Sequence, residues 1–135
     1  MRRPAAALAL LLLGGGCDHR VEECNALIKV INQTQAELDG LQGQADAPGI
    51  RKFADELDSV AKKVASVDVK LAALQGLRER YRALVTEYAT ALRDLADAQD
   101  REDVAKIQEA AAHGNRLEKD STTLIVELNA FCGGK

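Results

Sequence analysis

The chain has 135 residues, 47% hydrophobic, 29% charged and 3% aromatic, with a formal net charge of −3. That length supports one small domain rather than two. The acidic balance, with no tryptophan, excludes the basic field and the aromatic stacking platform that bind nucleic acid.

Met1-Arg2-Arg3 opens the chain with positive charge, and Ala5 to Leu13 follows as an almost unbroken apolar run that ends in Gly14, Gly15 and Gly16. The pattern reads as a signal peptide over residues 1–16, too short for the ~20 apolar residues of a permanent transmembrane helix. No later stretch supplies a span, so residues 17–135 are expected outside the cytoplasm as a single helical domain. Losing Arg2 and Arg3 makes that domain two charges more acidic, and leaves no basic field to hold it on anionic lipid.

Two cleavage readings meet at the glycines. Small residues at Gly14 and Gly16 suit ordinary signal peptidase, whereas a cysteine directly after small residues suits lipoprotein processing. "LLLLGGGC" at 10–17 resembles the bacterial lipobox, with Gly14 where leucine is usual and Leu13 one place early. The resemblance implies lipidation of Cys17 and membrane attachment through an N-terminal lipid, since two acyl chains anchor stably where one does not. Acylation also removes Cys17 from an odd count of three cysteines. Cys24 and Cys132 then remain as the pair for a disulfide in an oxidising compartment.

Helix formers dominate the rest, and no segment alternates apolar and polar residues long enough for a strand. The first helix is expected after Asp18, a candidate N-cap, with Cys24, Leu27, Ile28, Ile31, Leu38 and Leu41 on one stripe. "GQADAPG" at 43–49 ends it, because Pro48 disfavours helix at Ala47. From Ile50 a near-heptad seam runs through Phe53, Leu57, Val60, Val64, Val67, Leu71, Leu74, Tyr81, Val85, Tyr88, Leu92 and Leu95, in the manner of a coiled coil. "ASVDVK" at 65–70 interrupts it with β-branched residues and offers Ser66 or Asp68 as a new N-cap. The spacing predicts helices over 50–66 and 69–98, antiparallel about Val67, with Phe53 beside Tyr81 and Leu57 beside Leu77. After Leu95 the seam lapses, and Asp100 with Asp103 marks another capped start. The last helix is expected to bury Val104, Ile107, Ala111, Leu117, Leu124, Leu128 and Phe131 and to stop at Gly133-Gly134.

The fold class expected is all-α, an up-and-down four-helix bundle whose ends are tied by one disulfide. An even number of helices returns the last helix to the end where the first begins, so four allow Cys24 to meet Cys132 and three do not.

Candidate sites are few. Glu109 and His113 lie four apart on a helix, a spacing that suits two metal ligands, but no third ligand joins them, so no metal and no cofactor are expected. Ser59, Ser66 and Ser121 have no histidine at helical spacing, which argues against nucleophilic catalysis and against an enzyme. "RERYR" at 78–82 is the one concentrated basic patch, yet Tyr81 lies on the apolar seam and Glu79 offsets the charge, so it reads as a charged helix flank. Gly76 and Gly114 inside helices read as points of close helix approach, each costing roughly 1 kcal/mol relative to alanine.

"EECNALIKVIN" at 22–32 and "IVELNAFCGG" at 125–134 resemble a class of small bacterial exported helical lipoproteins that begin and end with a Cys-bearing helix. The resemblance implies location in a bacterial cell envelope, facing the periplasm, and carries no active site. The function expected is non-catalytic: contact with an unknown envelope protein through polar helix faces. By the up-and-down geometry those contacts fall on the distal loops, at Asp46, Pro48, Gln99, Asp100 and Asp103. Alternatives from other classes are a ligand-sensing or carrier bundle, for which an apolar pocket of several hundred Å³ would speak, and a self-associating spacer or stress protein, for which an exposed apolar stripe would.

Overall fold

The structure, a computed structural model, describes residues 15–41 and 43–133, with side chains from His19 onward. The predicted signal segment therefore lies outside the described residues except at Gly15 and Gly16, and the side chain of Cys17 lies outside them too. Among the described residues four helices follow one another: α1 Gly15–Asp39, α2 Ala47–Ala65, α3 Ala72–Asp100 and α4 Val104–Gly133. Among the described residues there is no strand.

Three contacts establish the up-and-down course. Cys24 on α1 is bonded to Cys132 on α4, with Cα atoms 5.6 Å apart. At the same end, the Glu23 carboxylate accepts the backbone N–H groups of Lys70 (2.9 Å) and Leu71 (3.0 Å), just before α3. At the other end Gln99 Nε2 donates to the carbonyl of Ala45, 3.4 Å away, joining the loop before α2 to the end of α3. The bundle thus has a closed end with the disulfide and an open end with the 40–46 and 101–103 connections.

In α1 the expected stripe is buried at Cys24, Leu27, Ile31 and Leu38, with Ile28 packed against it. Two boundaries differ from expectation. The helix begins at Gly15, so Asp18 sits within it rather than capping it. It ends at Asp39, so Leu41 belongs to the following turn, its N–H donating to the Leu38 carbonyl at 3.0 Å. α2 starts at Ala47, three residues before the expected 50, because Pro48 falls in the first turn, where a missing N–H costs nothing. Gly49 is required there: a Cβ would lie 2.5 Å from Gln44 Cβ and 2.6 Å from Asp46 Oδ1.

The break between α2 and α3 is where the sequence placed it, but its chemistry differs. Ser66 closes α2, its hydroxyl donating to the Lys63 carbonyl at 2.7 Å, and neither Ser66 nor Asp68 caps α3. Leu71 occupies the cap position with no side-chain cap of its own, and Glu23 of α1 supplies the acceptor. Val67 and Val69 of the connecting segment are buried in the core, so the β-branched residues that weaken helix here also anchor the turn. The six-residue connection shifts the register. A non-helical residue advances up to ~3.3 Å against 1.5 Å in a helix. A turn centred on Val67 would set Arg51 opposite Ala83 and Asp55 opposite Glu79. Instead Arg51 bonds Asp97 and Asp100, and Arg93 bonds Asp55 and Asp58, at 2.6–2.7 Å. The expected pairing of Phe53 with Tyr81 and Leu57 with Leu77 does not describe this register.

Because the carboxylate of Glu23 is held below its usual range by hydrogen bonds from Leu71 and Lys70, its contribution to stability is present above the unfolded glutamate pKa. That contribution is lost as pH falls through the lower folded value. Glu23→Gln is expected to flatten that part of the acid limb: chemical denaturation between neutral pH and about pH 3 should show a smaller stability loss than in the parent. An unchanged acid limb would mean the cap is not formed.

α3 ends without glycine or proline. The N–H of Asp103 donates to the Ala98 carbonyl and that of Glu102 to the Gln99 carbonyl, the bond pair of a Schellman motif. Glu102 takes the left-handed position usual for glycine, with φ 53°. Asp103 then caps α4, Oδ1 accepting the Lys106 N–H at 3.1 Å; the start falls where expected, but Asp100, expected to cap with Asp103 three residues on, instead ends α3 and binds Arg51. A left-handed non-glycine residue costs about 1–2 kcal/mol. Glu102→Gly is therefore expected to raise stability by about 1 kcal/mol, read as a higher denaturation midpoint; a lower midpoint would contradict the assigned turn.

The main core gathers side chains of all four helices, and a smaller cluster of Ala47, Ile50 and Ala96 sits near the open end with Leu92 and Leu95 packed on it. In α4, Leu117, Leu124 and Leu128 are buried as expected, Ile107 and Phe131 are half-buried, but Val104 is 64% exposed and Ala111 is exposed. The cause is the length of α1. Leu38, near its end, borders the same small cavity as Leu57, Tyr88 and Leu117, and α4 runs on from Leu117 to Val104, about 20 Å at 1.5 Å per residue. Val104, Ala111, Glu118 and Ile125 recur every seven residues. Ile125 packs against the core and Glu118 borders that cavity, whereas Val104 and Ala111 extend beyond the last turn of α1.

Candidate functional site

The side chains of the closed end hold one another. Besides the disulfide, Arg20 donates to the Phe131 carbonyl, and its guanidinium lies 4.4 Å from the centre of the Phe131 ring. Thr34, buried in the α1 stripe, donates to the Ile31 carbonyl at 2.8 Å and is hydrogen-bonded to Tyr81 of α3. Burial pushes the Tyr81 hydroxyl pKa up, the Thr34 bond opposing it. These two polar groups thus satisfy each other inside the core.

The helices are further joined by ion pairs. Arg51 and Arg93 each bridge α2 and α3 through two carboxylates, Arg80 grips Glu127 of α4 at 2.6 and 3.2 Å, and Lys63 meets Glu37 of α1 at 2.6 Å. The hydrogen bond from Arg51 holds the Asp97 carboxyl below its usual range, and that from Arg80 does the same for Glu127. Partly exposed pairs of this kind are individually weak. Their consequence here is to fix register. They also account for "RERYR": Arg78 Nη1 donates to the Val67 carbonyl at 2.7 Å, Arg82 pairs with Glu79, and Tyr81 is buried.

The distal loop residues are brought to one end of the bundle, as expected, but three of the five are engaged within the chain. Asp100 binds Arg51, Asp103 caps α4, and Gln99 reaches Ala45. Asp46 and Pro48 are exposed.

Next to these loops a cleft of about 430 Å³ opens between α3 and α4, bordered by Asp94, Asp97 and Arg101 on one side and Lys106, Glu109, His113 and Arg116 on the other. His113 Nε2 lies 3.2 Å from Glu87 Oε1 on α3 rather than turning to Glu109. Among the described residues no three His, Cys, Asp or Glu side chains are grouped to hold a metal ion. Also among the described residues, Arg101, Lys106, Glu109, Arg116 and Asp120 form no side-chain ion pair within 4 Å, whereas Arg51, Arg80, Arg82 and Arg93 all do. Sequence reasoning missed this surface because unpaired charges look the same in a sequence as paired ones.

The interhelical cavity bordered by Phe53, Leu57, Tyr81, Tyr88 and Leu117 has a volume of about 140 Å³, below the ~300–1,000 Å³ usual for small-molecule pockets. Gly114 meets the Tyr88 ring, 3.4 Å from where a Cβ would stand, consistent with close helix approach; a Cβ on Gly76 would meet nothing within 4 Å, so packing does not require that glycine. Among the described residues no helix is long and apolar enough to cross a membrane.

Fold and site together define a disulfide-closed up-and-down four-helix bundle with a charged cleft at its open end. No protein family, no curated protein and no solved structure matches the chain.

Proposed function

We propose that this protein is a non-catalytic, lipid-anchored component of a bacterial cell envelope that faces the periplasm and acts through protein contacts. What supports this reading is the polarity of the bundle. Cys17 precedes Cys24 by two helical turns, about 10 Å along α1, so an acylated Cys17 sets the disulfide-closed end against the membrane. The charged cleft, with Arg101, Lys106, Glu109 and Arg116 among its residues, then stands at the end away from the lipid. The Cys24–Cys132 bond accords with an oxidising compartment.

Two measurements test it. Intact mass of protein extracted from membranes should give a chain beginning at Cys17 with added acyl mass; an unmodified N-terminus at any residue would overturn the anchor. Photocrosslinking in intact cells from Pro48 and Glu109 should capture protein at the open end, with Lys29 near the closed end as control. Absence of any protein adduct from the open-end probes would overturn the contact role.

A further inference from the structure

Five side chains of α4 follow one another at steps of three and four residues: Lys106, Glu109, His113, Arg116 and Asp120. Such spacing places them along one flank of a helix. The first four border the α3–α4 cleft, and Asp120 borders the next depression along the same two helices. Lys106, Glu109, Arg116 and Asp120 are exposed, and among the described residues none has a side-chain ion partner. His113, in the middle, is half-buried and engaged by Glu87 of its own chain.

The order of charge along this row is cation, acid, histidine, cation, acid. Reversed about His113 it becomes acid, cation, histidine, acid, cation. Two copies laid antiparallel with their His113 positions together would therefore set Lys106 against Asp120 and Glu109 against Arg116, twice over. Two parallel copies in register would set like against like. We infer that this flank of α4 is a two-fold docking surface for a second copy of the chain, formed by antiparallel apposition of the two α4 helices about His113. The inference rests on the contact reading above and commits the partner to be this chain itself.

The self-complementary row is what an isologous two-fold interface requires, since each residue must satisfy its counterpart in the other copy. Ala105 and Ala112 lie exposed beside it on the same helix, and small side chains let helix axes come within ~8–10 Å. Exposed ion pairs are weak one by one and are screened by salt. The dimer is therefore weak in free solution, and because antiparallel α4 helices point the two closed ends in opposite directions, it joins chains approaching from opposed surfaces rather than neighbours standing on one.

The test is a charge exchange read by sedimentation equilibrium of the purified protein at low salt, with helicity and thermal unfolding as folding controls. Lys106→Glu alone and Asp120→Lys alone each bring like charges together twice in a homodimer and should weaken association about tenfold or more, close to 1.4 kcal/mol. An equimolar mixture of the two variants pairs every charge correctly and should recover the parental association to within about threefold. The double variant Lys106→Glu with Asp120→Lys should self-associate as the parent does. A parent monomeric at about 1 mM, single reversals without effect, or a mixture that fails to recover would each overturn the docking surface. Intact-cell crosslinks from Glu109 to a different protein, with the parent monomeric, would overturn this inference and leave the contact role standing.

Discussion

Replacing Cys24 or Cys132 by serine is expected to lower the unfolding free energy by about 4 kcal/mol, the loop-closure entropy of a crosslink spanning this much chain. The bridged residues are 108 apart in sequence, so the bond removes a large share of the freedom of the unfolded chain. For a domain of this size the thermal midpoint should fall by roughly 15 °C, read by circular dichroism. Each variant should also show one additional free thiol under denaturing conditions, without loss of membrane anchoring. Equal thermal midpoints for variant and parent would contradict the prediction. Reactivity of both Cys24 and Cys132 in unreduced, unfolded parent protein would mean that the bridge is absent and that the two ends are not tied.

Leu27→Ala is the second change with a large expected effect. Leu27 is fully buried, one turn from Cys24 and one turn from Ile31 on the stripe by which α1 grips the other helices. Truncating a buried leucine loses its transfer free energy and leaves a cavity, together about 2–5 kcal/mol. Urea unfolding should show a lower midpoint with an unchanged slope, because the disulfide keeps α1 in place. In a Cys24→Ser background only packing and surface bonds hold α1. The same truncation is then expected to lower the slope as well, the mark of a native state that has released surface before global unfolding. A neutral Leu27→Ala would mean that α1 does not pack as described.

The legible part of this fold is the part that local chemistry decides. The β-branched run at 65–70 breaks the long seam because Val67 and Val69 serve the core better in an irregular segment than in a helix. The start of α4 is local too, although Asp103, not Asp100, supplies the cap, its own carboxylate reaching the Lys106 N–H three residues on. The cysteine pairing and the number of helices constrained each other, since a bond between the ends requires an even number of antiparallel elements.

Other features depend on residues distant in sequence. Glu23 completes the start of α3 from a position on α1 nearly fifty residues earlier, so no local cap signal announces it. The register of α2 on α3 depends on how far the 66–71 segment climbs between them, which hydrophobic spacing does not encode. The Schellman turn at Glu102 escaped notice because a glutamate stands where glycine is the usual signal.

The sequence by itself determined the all-α class, the four helices in order, the pairing of Cys24 with Cys132 and the inward stripe of α1, because helix periodicity, turn residues and cysteine arithmetic act through neighbours along the chain. Only the tertiary structure decided which apolar and charged residues remain free. Val104 and Ala111 stay exposed because α1 stops level with Leu117, and among the described residues Arg51 and Arg93 are paired while Arg116 is not, because carboxylates of a neighbouring helix lie within reach of Arg51 and Arg93 but not of Arg116. Burial and ion pairing are properties of what lies opposite a residue, and what lies opposite is set by helix length and register across the bundle.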